Sequence, residues 1–182
     1  MLAVPKGRTK VENVFGDPEL RGGGLNEAWA EKNLVSVPLP FVMRYAFDTK
    51  VKITHCQFHR LIAVNLTGAL QDVWTFARTE MKKKYGYNQT TEFYDNKARA
   101  YLRLYGLDLF GGTHVYRRKR GTVGLSMHAY GIAIDINPAK NPMGKKGVMP
   151  EWFVAIFKKW GFTWGGTWKR RDDMHFQYAN GV

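Results

Sequence analysis

Apolar and polar positions alternate with a period of two over residues 132–136, Ile-Ala-Ile-Asp-Ile, the most strand-like run in the chain. Residues 174–178, Met-His-Phe-Gln-Tyr, repeat the pattern. Earlier, 34–39, 42–47 and 51–54 read as extended, and Pro38 and Pro40 keep the first of these at a sheet edge, because proline cannot donate to a ladder. Helical periodicity takes over at 60–84, where Leu61, Val64, Ala69, Val73, Phe76 and Ala77 form an approximate apolar stripe and Gly86 is a fitting stop. A short helix over 7–15 ends at Gly16-Asp17-Pro18. Residues 150–160 fit an amphipathic helix with Pro150 at its start and Gly161 just past its end. Residues 88–96 are polar and predict a loop, and 98–104 a helical turn or irregular segment. Residues 107–110 and 114–117 suit a pair of strands around Gly111-Gly112, 137–148 a loop, and 164–168 a turn. The pattern is α+β: a small antiparallel sheet flanked by helices.

Composition narrows this. The 182 residues fit one domain over 1–182, with 1–60 packed on a catalytic core formed by 61–182. No run of eighteen apolar residues occurs, so no transmembrane helix is predicted. Residues 1–10 carry charges and no apolar stretch, which is not the pattern of a secretory signal peptide. The single cysteine, Cys56, excludes an internal disulfide and a cysteine-rich zinc module, and reads as a buried structural thiol. Any metal must therefore rest on histidines and carboxylates. The net charge of +13 draws the chain to polyanions: nucleic acid, teichoic acid, lipopolysaccharide or an anionic membrane surface. Residues 117–120 and 169–171 are the sharpest basic clusters.

The two alternating runs also carry candidate chemistry. Side chains on a strand point to opposite faces in turn, so Ile132, Ile134 and Ile136 face one side, and Ala133 and Asp135 the other. By the same parity Met174, Phe176 and Tyr178 share one face, and His175 and Gln177 the opposite one. If the runs pair, Asp135 and His175 converge. His128, seven residues before Asp135, arrives from a turn that Gly131 permits. Two imidazoles and a carboxylate suit zinc and leave a fourth position for water, while Asp172, three residues before His175, is placed to move a proton. Asp173 has the opposite parity and reads as a surface or supporting acid. His55 and His59 form an HxxxH pair without the glutamate of a zincin and read as structural, and His114 lines a loop.

Residues 126–135 fit the pattern SxHxxGxAxD, and Trp164-Gly165-Gly166 followed by Asp172-Asp173-Met174-His175-Phe176 fits WGG…DxxHF. In these residues the chain resembles the family of zinc D-Ala-D-Ala carboxypeptidases and L-alanyl-D-glutamate endopeptidases, which includes phage endolysins. That family belongs to the wider group named after lysostaphin, D-Ala-D-Ala metallopeptidases and hedgehog. The resemblance covers about 111–177 and is weaker before Leu61. It implies that His128, Asp135 and His175 bind Zn2+ and that Asp172 is the general base and acid. It also implies an arginine that polarises the scissile carbonyl, for which Arg117 aligns best, with Arg118 and Arg120 close by. Trp164 and Trp168 either wall the cleft or pack in the core.

The leading expectation is a zinc peptidase that cuts the peptidoglycan stem peptide, of the endolysin L-alanyl-D-glutamate type. Such an enzyme is made in the cytoplasm and acts on the wall after release. A D-Ala-D-Ala carboxypeptidase of the same family and a non-catalytic zinc-containing wall-binding module are the alternatives. No helix-turn-helix, zinc-finger or RRM signature supports a specific nucleic-acid binder.

Overall fold

The computed structural model describes residues 2–182. Two N-terminal helices, α1 (Arg8–Phe15) and α2 (Glu27–Asn33), precede a long hairpin of β1 (Leu34–Tyr45) and β2 (Asp48–His59). A 3₁₀ turn, Arg60–Ile62, leads into α3 (Ala63–Tyr85), which α4 (Thr91–Tyr105) follows. Then come β3 (Leu109–Gly112), β4 (Ala133–Ile136), α5 (Glu151–Lys159), β5 (Thr163–Trp164) and β6 (His175–Gln177). The strands form one six-stranded sheet in the order β2-β1-β3-β4-β6-β5. The sheet is larger than the small antiparallel one predicted, and it is mixed: β1 runs parallel to β3 through Arg44↔Leu109 and Tyr45↔Phe110, and the other pairings are antiparallel.

Three further expectations need correction. The segments predicted at 34–39 and 42–47 merge into one strand, Leu34–Tyr45, and that strand is interior to the sheet order. Its prolines are tolerated because β3 reaches only Arg44 and Tyr45, and the register with β2 breaks between Pro38 and Met43. The polar stretch after Thr90 is helical. Thr90 Oγ1 accepts from the Phe93 N–H at 3.1 Å, Tyr94, Ala98 and Leu102 bury one face, and Gly106 ends the helix in the left-handed conformation. Residues 114–117 do not pair with β3. The Val115 N–H donates to the His128 carbonyl at 3.3 Å, and the Arg117 carbonyl accepts from Ser126 N–H at 3.0 Å, so this backbone frames the His128 turn.

The predicted parity of β4 and β6 is realised. Ile134 pairs with Phe176, and both are fully buried on the face covered by helices. Phe176 packs against Phe153 and Phe157 of α5, with ring centroids 5.6 and 4.6 Å away. Truncating such a ring to alanine costs about 3–5 kcal/mol, so this cluster holds the central strands firmly. A continuous core runs from Val11 and Phe15 of α1 through α3 to Ala179. No helix of the described residues is long and apolar enough to cross a membrane.

Candidate active site

The sheet face away from the aromatic cluster carries Asp135 and His175 as directly opposed partners, with Ala133 opposite Gln177 beside them. His128 comes from the turn before β4, whose backbone bonds include Gly131 N–H to His128 O at 3.0 Å. Gly131 has φ +64, and a Cβ there would lie 2.5 Å from a Leu34 methyl, so the turn requires glycine at this position. The three side chains converge. His128 Nε2 is 3.2 Å from His175 Nδ1 and 3.2 Å from Asp135 Oδ2, and His175 Nδ1 is 2.8 Å from Asp135 Oδ1.

The other nitrogen of each imidazole is already committed. His128 Nδ1 lies 2.6 Å from the Thr113 carbonyl, which can only accept, so that nitrogen carries a proton. His175 Nε2 lies 3.0 Å from Gln177 Oε1. The Gln177 amide is oriented by its own N–H donation to the Ala179 carbonyl at 3.0 Å, so Oε1 faces the ring and His175 Nε2 is the donor. Both neutral rings therefore turn lone pairs toward each other and toward a carboxylate. Such a trio favours a positive charge at its centre, either a proton or a metal ion.

The electrostatics agree. Burial pushes the Asp135 carboxyl up, but the two imidazoles outweigh it and hold the group well below the usual carboxylate range. Burial pulls His175 down, yet the bond and charge of Asp135, with help from Asp172, leave it raised. The set also fits zinc on geometry. One ligand atom from each residue lies within 4.8 Å of the others, close enough for the three to share one ion. His128, Asp135 and His175 form the metal-competent group among the described residues.

Asp172 lies in the strand approach to His175 and accepts the His175 N–H through its carbonyl at 3.1 Å. Its neighbour across the turn is Gly165, where a Cβ would come within 2.5 Å of the Asp172 carbonyl oxygen, so the glycine permits this close approach. The carboxyl is buried and Oδ1 has no hydrogen-bond partner. Burial, reinforced by the charge of Asp135, raises its affinity for a proton against the opposing pull of His175, His128 and Arg117. Asp173, by contrast, is not a surface acid. It is buried, takes Arg171 in a bidentate pair at 3.1 and 2.8 Å, and accepts the Gly147 N–H at 2.9 Å, which ties down the preceding loop.

Two clefts meet at this pocket. One, of about 240 Å³, runs past His175, Trp168, Lys119 and Arg170, and the other, of about 440 Å³, past His128, Asp135, Phe47 and Pro138. Arg117, Arg120, Met143 and Asp172 line both. Trp168 stands 5.5 Å from the His175 ring and walls the first cleft, whereas the Trp164 indole donates to the Asp173 carbonyl at 2.8 Å and packs against the core. Arg118 pairs with Glu19, which also accepts from Tyr116 Oη at 2.7 Å. Arg8 donates to the Leu125 carbonyl at 2.7 Å. The N-terminal segment thus clamps both ends of the loop that presents Arg117 and Arg120. Glu19, Arg8 and the Thr113 carbonyl carry no sequence signal for this role, while the strand parity of Gln177 does.

The remaining candidates lie elsewhere. His59 is fully buried; its Nδ1 accepts from Leu61 N–H and its Nε2 faces the Phe15 carbonyl, and burial pushes its pKa down to about 4. His55 sits exposed beside Thr54. His114 is half-buried on the loop before Arg117. Cys56 is buried, and burial pushes its thiol up to about 12, which suits an inert structural thiol.

No curated protein and no solved structure matches the chain. Residues 120–178 match the family model described as D-alanyl-D-alanine carboxypeptidase. That segment contains His128, Asp135, Asp172 and His175 and begins after Arg117. The similarity to that family rests on this segment, which builds most of the pocket.

Proposed function

We propose that this protein is a zinc endopeptidase that hydrolyses an amide bond in the peptidoglycan stem peptide, of the L-alanyl-D-glutamate type found in phage endolysins. The observation that carries this reading is the pair of adjoining clefts, one lined by His175 and the other by His128 and Asp135, which share Arg117 and Asp172 and together give room to an extended peptide. Zinc held by His128, Asp135 and His175 would supply the Lewis acidity that makes water nucleophilic near neutral pH. Asp172, raised toward neutral by its burial, takes the proton of the attacking water and passes it to the leaving amine as the C–N bond breaks. Arg117 faces the same space and stabilises the negative charge that develops on the carbonyl oxygen, worth about 2.7–4 kcal/mol for one strong donor. Thr113 and Gln177 hold the two imidazoles in the required tautomers. In this reading the enzyme works on the cell wall after release from the cytoplasm, and its +13 charge suits an anionic envelope.

A carboxypeptidase cut at D-Ala-D-Ala is the second reading, favoured by Lys119 and Arg170 in one cleft, where a terminal carboxylate would be received. A non-catalytic wall-binding module has no use for an unpartnered buried carboxyl at Asp172. Digestion of purified peptidoglycan, followed by mass spectrometry, separates the readings. New L-Ala C-termini with D-Glu N-termini support the endopeptidase. Release of D-Ala alone supports the carboxypeptidase, and an undigested wall removes both.

A further inference from the structure

Most residues of the two basic clusters prominent in the sequence line the cleft or are paired. Arg117 and Arg120 line both arms of the cleft and Arg170 one, while Arg118 is bound to Glu19 and Arg171 to Asp173. A separate concentration of charge is built by the fold from distant segments. Between the β1–β2 hairpin and α4 lies a groove of about 490 Å³ that shares no lining residue with the catalytic clefts. Arg44, Lys50 and Lys52 enter it from the hairpin, and Arg99 and Arg103 from α4. Its one acid, Asp108, is buried and engaged: Arg44 holds it through Nε at 2.7 Å and Nη2 at 3.1 Å, and Arg103 lies 3.5 Å away. The one acid on the hairpin, Asp48, caps its own turn by accepting the Lys50 N–H at 3.1 Å.

Five cations therefore surround one carboxylate that is already taken. Packing this much like charge together costs free energy through repulsion, and an anion lying along the groove would relieve it. Two of the cations are held ready. Arg44 is fixed by Asp108, a pair that leaves its Nη1 amino group uncommitted, and Arg99 lies over the Trp74 ring at 5.7 Å and bonds Asn96. Pre-positioned guanidinium groups flanked by exposed lysines match successive tetrahedral phosphates better than isolated carboxylates. The floor of Phe41 and Leu102 offers apolar contact to the carbon links between them.

We infer that this groove binds a phosphodiester-linked polyanion of the bacterial wall and tethers the enzyme there while the cleft works on stem peptides. The wall as location rests on the function proposed above, but the binding is measured independently of turnover. The probes are soluble poly(glycerol phosphate), sacculi that retain their phosphodiester polymer, and the same sacculi stripped with hydrofluoric acid. Lys50→Ala/Lys52→Ala is compared with Lys10→Ala/Lys32→Ala, an equal charge change at exposed lysines outside the groove. The groove variant is expected to bind poly(glycerol phosphate) about tenfold or more weakly, with a log–log salt dependence shallower by roughly two contacts. It should lose retention on intact sacculi, match wild type on stripped ones, and cleave a soluble stem peptide at the wild-type rate. Equal losses in the two variants, or an equal loss on stripped sacculi, would overturn the groove. A larger loss for a DNA duplex than for poly(glycerol phosphate) would overturn the wall polymer in favour of nucleic acid. If no stem peptide is cut while retention behaves as expected, the enzymatic reading fails and the groove stands.

Discussion

Gln177 offers the sharpest test of the metal pocket, because it touches no metal and yet fixes one of the three donors. Its side chain is buried and bonded at both ends, to His175 Nε2 and to the Ala179 carbonyl, each at 3.0 Å. Gln177→Leu keeps the bulk and removes both bonds. The His175 N–H then loses its only acceptor, the ring is free to rotate or change tautomer, and the Nδ1 lone pair is no longer guaranteed to face Asp135. Removing such a supporting partner typically costs 10–100-fold in metal affinity, or about 1.4–2.8 kcal/mol. The buried N–H and carbonyl left unpaired cost about 1–3 kcal/mol each in stability, partly offset by the leucine's apolar burial. Gln177→Glu is the informative companion. It retains an acceptor for His175 but puts a buried carboxylate where the donor to Ala179 stood, so it should lower the melting temperature while leaving zinc affinity at or above wild type. Zinc competition against a chromogenic chelator reads affinity, and thermal unfolding of the metal-free protein reads stability. If the leucine variant binds zinc like wild type, or the two variants lose affinity equally, the tautomer-fixing argument is wrong.

Other outcomes follow from the same geometry. Asp172→Asn should keep stoichiometric zinc and lose about 10²–10⁴-fold in kcat, and normal turnover would remove Asp172 from proton transfer. Arg117→Ala should lower kcat about 10²–10³-fold with zinc content unchanged, whereas Arg118→Ala should lower thermal stability through the lost Glu19 clamp and affect kcat less; the reverse ranking would move the oxyanion role. His59 has a folded pKa of about 4 against 6.5 for the free side chain, so the unfolded chain takes up its proton first on acidification. Its neutral form therefore costs stability increasingly as pH falls from 6.5 to about 4, by a total on the order of 3 kcal/mol. Thermal midpoints of the wild type and His59→Gln should draw together across that window, and parallel curves would show that His59 does not titrate this way.

The pocket was legible in the sequence where side chains alternate. Parity alone put Asp135 and His175 on one face and Phe176 on the other, and the strand pairing requires just that. Elements whose signal is spread thin were harder. The buried face of α4 is only Tyr94, Ala98 and Leu102 among charged residues, so its cap at Thr90 and stop at Gly106 carried more information than its hydrophobicity. At the start of α3 the apolar stripe read from the sequence is out of phase with the buried face. The 3₁₀ turn over Arg60–Ile62 rotates the helix so that Leu61 and Val64 are exposed and Asn65 and Leu66 buried. Among the arginines, composition left Arg117, Arg118 and Arg120 nearly equivalent, and only the contact with Glu19, far away in sequence, sets Arg118 apart. The support from Thr113 is a main-chain carbonyl, which any residue type supplies and no motif can announce.

The opposed pairs Asp135↔His175 and Ile134↔Phe176 bind the chemistry to the fold more tightly than proximity alone would. Were β6 to slide by one residue along β4, His175 would turn into the cluster of Phe153 and Phe157, and Phe176 would face the cleft. Both the core and the pocket would be lost in the same step. Partial slippage therefore offers no half-active state, and any cation that settles between the two imidazoles also guards the alignment of the sheet beneath them.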